Sequence, residues 1–149
     1  MHIPIKVDYA VRALVALAQQ KGRGPVHATQ VAKTMAMPEP YLNHILHTLS
    51  KHGFTTTLRG PLGGHMLAME PKDINLSMVM SAFDESNALV GCLDDENACT
   101  LSDCCAQRNV WQTVEDAINT ILERTTIADL VTPPRVAFVE APTRAVGQP

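Results

Sequence analysis

Four cysteines stand within fourteen positions, Cys92, Cys99, Cys104 and Cys105, and the rest of the 149-residue chain has none. Thiolates are soft metal ligands and redox-active nucleophiles, so such a group suits either metal binding or a thiol switch. Structural zinc sites bring cysteines in two-residue-spaced pairs that fold a tight knuckle, and no such pair occurs here. Gaps of six and five residues separate Cys92, Cys99 and Cys105. That spacing suits a loop wrapped round a larger object, and thiolate donors favour an iron-sulfur cluster with one coordination position left open. Adjacent cysteines diverge, which leaves one of Cys104 and Cys105 spare for redox chemistry. The competing reading is a set of free thiols that form a regulatory disulfide. Burial as apolar filler fits poorly, because Asp94, Asp95, Glu96, Asn97, Ser102 and Asp103 surround the thiols.

A second group lies in the first half of the chain. Tyr41, Asn43, His44, His47 and Lys51 share the polar side of a helical pattern whose other side is Leu42, Ile45, Leu46 and Leu49. Asparagine pairs bidentately with adenine, histidine and tyrosine donate to purine acceptors or phosphate, and lysine neutralises a phosphate. Just behind stands Arg59-Gly60-Pro61-Leu62-Gly63-Gly64. An arginine followed by glycines that permit close backbone approach is suited to a narrow minor groove. Thr29, at the start of the preceding helix, is read as its cap and as part of the same DNA-facing set.

Periodicity gives the helices and strands on which these residues stand. Val7, Ala10, Val11, Leu14, Leu17 and Ala18 mark a first helix that Gly22 to Pro25 ends; a short second helix carries Val31, Ala32 and Met35; a third runs from about Pro38 to Gly53. Phe54 to Leu58 and His65 to Met69 read as a hairpin around the glycine-rich turn. Three helices and a hairpin in that order describe a winged helix-turn-helix, in a mainly α chain. A helix from Ser77 to Ser86 follows, then an irregular loop from Val90 to Cys105. From Asn109 to Arg124, Val110, Trp111, Val114, Ala117, Ile118, Ile121 and Leu122 form a broad apolar stripe that needs a partner surface. A winged helix is complete in itself, so the expected partner is the same helix of a second copy, making a homodimer. The expected organisation is a DNA-binding domain over residues 1–72, a cluster-binding loop and dimerisation helix over 73–131, and a flexible tail over 132–149.

Composition narrows the function classes. Apolar residues make up 46% and charged residues 18%, and no stretch approaches the roughly 18 unbroken apolar residues of a membrane span. No export signal pattern opens the chain, so a cytoplasmic protein with reduced thiols is expected. Residues 1–72 carry eight Lys/Arg and three acids, a balance of +5, while residues 73–149 carry four against twelve, a balance of −8. The basic half suits a polyanion such as double-stranded DNA. No Ser-His-Asp arrangement, phosphate loop or glutamate-flanked metal motif is present, so an enzyme is not expected.

The ordered set of motifs resembles the iron-sulfur winged-helix regulators of the Rrf-two family over about residues 1–131. The matching text is Asp8-Tyr-Ala-Val-Arg-Ala-Leu14, Tyr41-Leu42, Arg59-Gly-Pro-Leu-Gly-Gly64, Ile74-Asn-Leu76, the three spaced cysteines and Thr126-Ile-Ala-Asp-Leu130. The resemblance implies a homodimeric repressor sensing iron, nitric oxide or redox state through a cluster held by Cys92, Cys99 and Cys105. Cys105 is chosen over Cys104 because the Cys-x-x-Arg it opens matches the family's third-cysteine segment. One type of the family takes its fourth ligand from a histidine three residues later, where this chain has Arg108, which cannot serve as a neutral nitrogen ligand. Another type takes it from an aspartate in the first helix of the other subunit, and Asp8 stands there. The implied cofactor is an iron-sulfur cluster bridging two chains, with 4Fe-4S favoured over 2Fe-2S. Asp8 also suits the first turn of a helix on dipole grounds alone. His65, where the family commonly has an aromatic residue, and the extra Cys104 depart from the pattern. The alternative is a cluster-free thiol switch that still binds DNA.

Overall fold

Alanines at positions 10, 13, 16 and 18 let the first helix sit against its neighbours with little side-chain bulk between the backbones. In a computed structural model, which describes residues 3–83 and 88–131, that helix is α1 (Ile5–Gln19), with Val7, Leu14 and Leu17 buried beside the alanines. Helices α2 (Ala28–Thr34) and α3 (Glu39–Lys51) follow, and α3 buries Leu42, Ile45, Leu46 and Leu49 on one face. Pro40 sits in the first turn of α3, where a missing N–H costs nothing. Thr29 lies inside α2 and not at its cap, which His27 occupies; the Thr29 hydroxyl instead donates to Glu39 Oε1 at 3.1 Å.

Strands β1 (Thr55–Leu58) and β2 (Gly64–Leu67) pair antiparallel, with Thr55 opposite Leu67 and Leu58 opposite Gly64. Val26 and His65 exchange both backbone hydrogen bonds, at 2.8 and 2.9 Å, so the link between α1 and α2 holds the wing to the helical body. Gly64 is required there: its φ is +151°, and a Cβ would lie 2.6 Å from the Val26 carbonyl oxygen.

The core continues past residue 72. Ile74, Val79, Phe83 and Ile127 belong to the same buried cluster as the α1 and α3 residues. Helix α4 (Leu76–Phe83) is capped by Asn75, whose side chain accepts from the Met78 N–H at 2.8 Å. The remaining residues assigned to this helix, up to Ser86, lie outside the described set, as does the expected flexible tail over 132–149.

The cysteine segment is more regular than its polar composition suggests. It forms a short helix α5 (Gly91–Asp94) and a single 3-10 turn over Glu96–Ala98. Helix α6 (Ala106–Arg124) begins three residues earlier than the apolar stripe marks. A last short helix, α7 (Ile127–Val131), was not expected. It is nucleated by a reciprocal cap: the Thr126 N–H and hydroxyl donate to Asp129 Oδ2 at 2.8 and 2.7 Å, and the Asp129 N–H returns to the Thr126 hydroxyl at 3.4 Å. These bonds hold the Asp129 carboxyl below its ordinary value, the Thr126 backbone N–H first among the causes. The Ile127 N–H donates to the Ile74 carbonyl at 2.8 Å and the Leu76 N–H to the Thr125 carbonyl at 3.0 Å, which ties α7 to the start of α4, and α7 also packs on α1.

Candidate functional site

With Leu42, Ile45, Leu46 and Leu49 committed to the core, helical geometry turns Tyr41, Asn43, His44, His47 and Lys51 outward, and all five are exposed. Thr29 is exposed at the start of α2. Arg59 and Gly60 open the wing turn, in which the Gly63 N–H donates to the Gly60 carbonyl at 3.0 Å. The fold thus leaves every residue of the candidate DNA-facing set open to solvent.

Asp8 lies in the first turn of α1, half-exposed, and pairs with Arg12 one turn on at 2.8 Å. The Arg12 guanidinium stands 5.6 Å from the centre of the Tyr9 ring. Tyr9 in turn meets Tyr41 edge to face, with centroids 5.5 Å apart and planes at 77°. A continuous series of contacts therefore runs from Asp8 to the start of α3. The sequence reading missed Tyr9 and Arg12, because nothing in their spacing signals a contact with a residue some thirty positions away.

The four thiols are free; Cys99 and Cys104 are exposed, while Cys92 and Cys105 are half-buried. Cys92 lies in α5, Cys99 closes the 3-10 turn and Cys105 is the N-cap of α6. The Ser102 hydroxyl lies 2.8 Å from both the Glu96 and Cys99 carbonyls and closes the turn between them. Arg108, read from the sequence only as a lost ligand, reaches back to the Cys92 carbonyl and to Glu96. In kind, these donors fit an iron-sulfur group: several free, accessible thiols on one loop in polar surroundings. Among the described residues, however, one chain does not gather three His, Cys, Asp or Glu side chains into a metal-holding group.

Comparison with known proteins places this architecture. Residues 3–133 match the Rrf2 family, described as an iron-dependent transcriptional regulator. The chain belongs to the Rrf2 family. Among the relatives of this Rrf2 protein is the HTH-type transcriptional regulator IscR of Pectobacterium atrosepticum, 31% identical over 131 residues that span 88% of this chain and 79% of IscR. The regulator NsrR of Bacillus subtilis is 30% identical over 125 residues, 83% of this chain and 86% of NsrR. In structure, the global cysteine regulator CymR of B. subtilis matches with a TM-score of 0.75 and 28% identity, over 88% of this chain and 96% of CymR. The Rrf2 protein is accordingly a transcriptional regulator and not an enzyme, with the DNA-binding function of its family. Among its described residues no helix is long and apolar enough to cross a membrane.

Proposed function

We propose that the protein is a homodimeric repressor whose grip on a double-stranded operator depends on an iron-sulfur cluster. In this reading Tyr41, Asn43, His44 and His47 face the major groove, Thr29 and Lys51 contact phosphates, and Arg59 with Gly60 enters the adjacent minor groove. The exposed stripe of α6 packs against the same stripe of a second copy. Cys92, Cys99 and Cys105 of one chain hold the cluster, and Asp8 of the second copy supplies the fourth ligand, the pattern that favours the four-iron form. When bound, such a group supplies a cross-link sensitive to iron supply, nitric oxide and oxidants.

The observation that carries the reading is the series Asp8, Arg12, Tyr9, Tyr41. A carboxylate committed to the partner's cysteine loop no longer pairs with Arg12, and Arg12 lies against the ring that supports Tyr41. The state of Asp8 is thereby felt where the reading helix begins. The test is anaerobic purification followed by iron and acid-labile sulfide counting. The wild-type chain is expected to hold both and to absorb in the visible; replacement of Cys92, Cys99 or Cys105 by serine removes the colour, and Cys104→Ser keeps it. A chain that stays colourless after reconstitution, or that loses iron only through Cys104→Ser, contradicts the proposal.

A second reading, a cluster-free thiol switch, draws on the exposure of Cys99 and Cys104 and on the lack of a three-ligand group among the described residues of one chain. It calls for an iron-free protein whose DNA affinity changes with a disulfide detectable by peptide mapping.

A further inference from the structure

Arg108 occupies the third position of α6. A cation there opposes the helix dipole, whose positive end favours acids in the first turn, so the side chain needs a compensating partner. It finds one by turning back over the cysteine loop. Nη2 donates to Glu96 Oε1 at 2.9 Å and Nε reaches the Cys92 carbonyl at 3.4 Å, with the side chain only 27% exposed. Its own backbone N–H donates to the Cys105 carbonyl at 3.2 Å. The side chain thus ties the first turn of α6, just past Cys105, to the Cys92 carbonyl and to the 3-10 turn that Cys99 closes, while Cys99 and Cys104 themselves stand exposed.

We infer that Arg108 is the positioning residue of the cysteine loop: it fixes α5 against the start of α6, so that Cys92 and Cys105 keep their relative placement before any iron arrives. The inference rests on the iron-sulfur reading above and deepens it by naming what prepares the loop. A guanidinium suits this role because its donors lie in a rigid planar fork and it stays charged at any physiological pH. A lysine presents its donors on a single nitrogen where arginine uses separated Nε and Nη2, so it is expected to keep the Glu96 pair and give up the Cys92 carbonyl.

The experiment compares the iron-free full-length chain with Arg108→Ala and Arg108→Lys. Each thiol is labelled with a maleimide and its rate resolved by mass spectrometry; iron and sulfide uptake is measured in parallel. Arg108→Ala should speed labelling of half-buried Cys92 by roughly three- to tenfold, the scale of a partly solvated charge-assisted contact, and leave the already exposed Cys99 and Cys104 unchanged; the backbone bond to Cys105 survives the substitution. Arg108→Lys, which keeps the Glu96 pair but gives up the Cys92 bond, should leave Cys92 as fast as in Arg108→Ala. Iron uptake should slow in Arg108→Ala, with the melting temperature of the iron-free chain unchanged, since Arg108 lies outside the buried cluster. A uniform rise at all four thiols, a fall in melting temperature, or uptake equal to wild type overturns the inference. If the wild-type chain takes up no iron at all, the cluster reading fails, and the labelling pattern still decides whether Arg108 clamps the loop.

Discussion

Truncating Ile121 should split the proposed α6-paired dimer without unfolding the chain. Val110, Val114, Ala117 and Ile121 succeed one another at spacings of four, three and four along α6, a narrow seam of the coiled-coil kind. Val110, Trp111, Val114 and Ile121 are 59%, 41%, 38% and 64% exposed, and no residue of α6 is fully buried. Ile121→Ala removes three carbons worth about 0.8 kcal/mol each on burial. Scaled by the 64% of Ile121 left open in one chain, this comes to about 1.5 kcal/mol per copy. A twofold interface counts the loss twice, so the dimer should weaken by about 3 kcal/mol, or roughly a hundredfold in dissociation constant. Sedimentation equilibrium measures this directly. Trp111, the single tryptophan, gives a second readout, since its emission should shift to the blue as concentration drives dimerisation. A dissociation constant within about threefold of wild type, or a Trp111 emission indifferent to concentration, would refute the reasoning.

Other perturbations address other contacts. Tyr9→Ala removes the ring between Arg12 and Tyr41; its edge-to-face contact is worth about 0.5–1.5 kcal/mol, so the affinity ratio between iron-loaded and iron-free protein should shrink by roughly two- to tenfold. Iron content should stay at the wild-type level, and fluorescence anisotropy on an operator selected from random duplexes provides the measurement. Arg59→Ala should weaken DNA binding and reduce the slope of log affinity against log salt by about one unit; an unchanged slope would remove Arg59 from the phosphate-rich groove. His65 carries a pH signature. Burial holds its imidazole below the ordinary 6.5, so as pH falls the unfolded chain takes up the proton first. The contribution of His65 to stability is therefore complete above about pH 6.5 and declines as pH falls through that value toward the lowered native one. His65→Tyr should flatten the melting temperature between about pH 7.5 and about pH 5.5; Asp129 and Glu70, both shifted downward, titrate below this window.

What could be read in advance follows the range of the interactions. The apolar face of α3 repeats at helical spacing and commits itself within one turn, so its exposed face was legible too. The same holds for the α6 stripe and for the wing, where glycine spacing demands a turn. Helix α7 escaped because five residues are too few for periodicity, although Thr126-x-x-Asp129 is a capping pattern that could have revealed it. Thr29 was misplaced by two residues because the extended residue before α2 is His27, which offers no side-chain cap bond to signal it. The ties at Arg108 and Tyr9 join residues separated by 12 to 32 positions, and only the assembled fold brings them together. The Ile74-Asn-Leu76 and Thr126-to-Leu130 motifs, far apart in the chain, prove to be two sides of one backbone pairing.

In the proposed function, iron at the cysteine loop governs the hold on DNA. Operator affinity of the anaerobically prepared protein is measured before and after an iron chelator and again after iron and sulfide are restored. Specific binding should fall in step with the iron removed and return with it, in wild type but not in a chain lacking Cys92. Affinity that stays constant while the iron content falls to zero would contradict it.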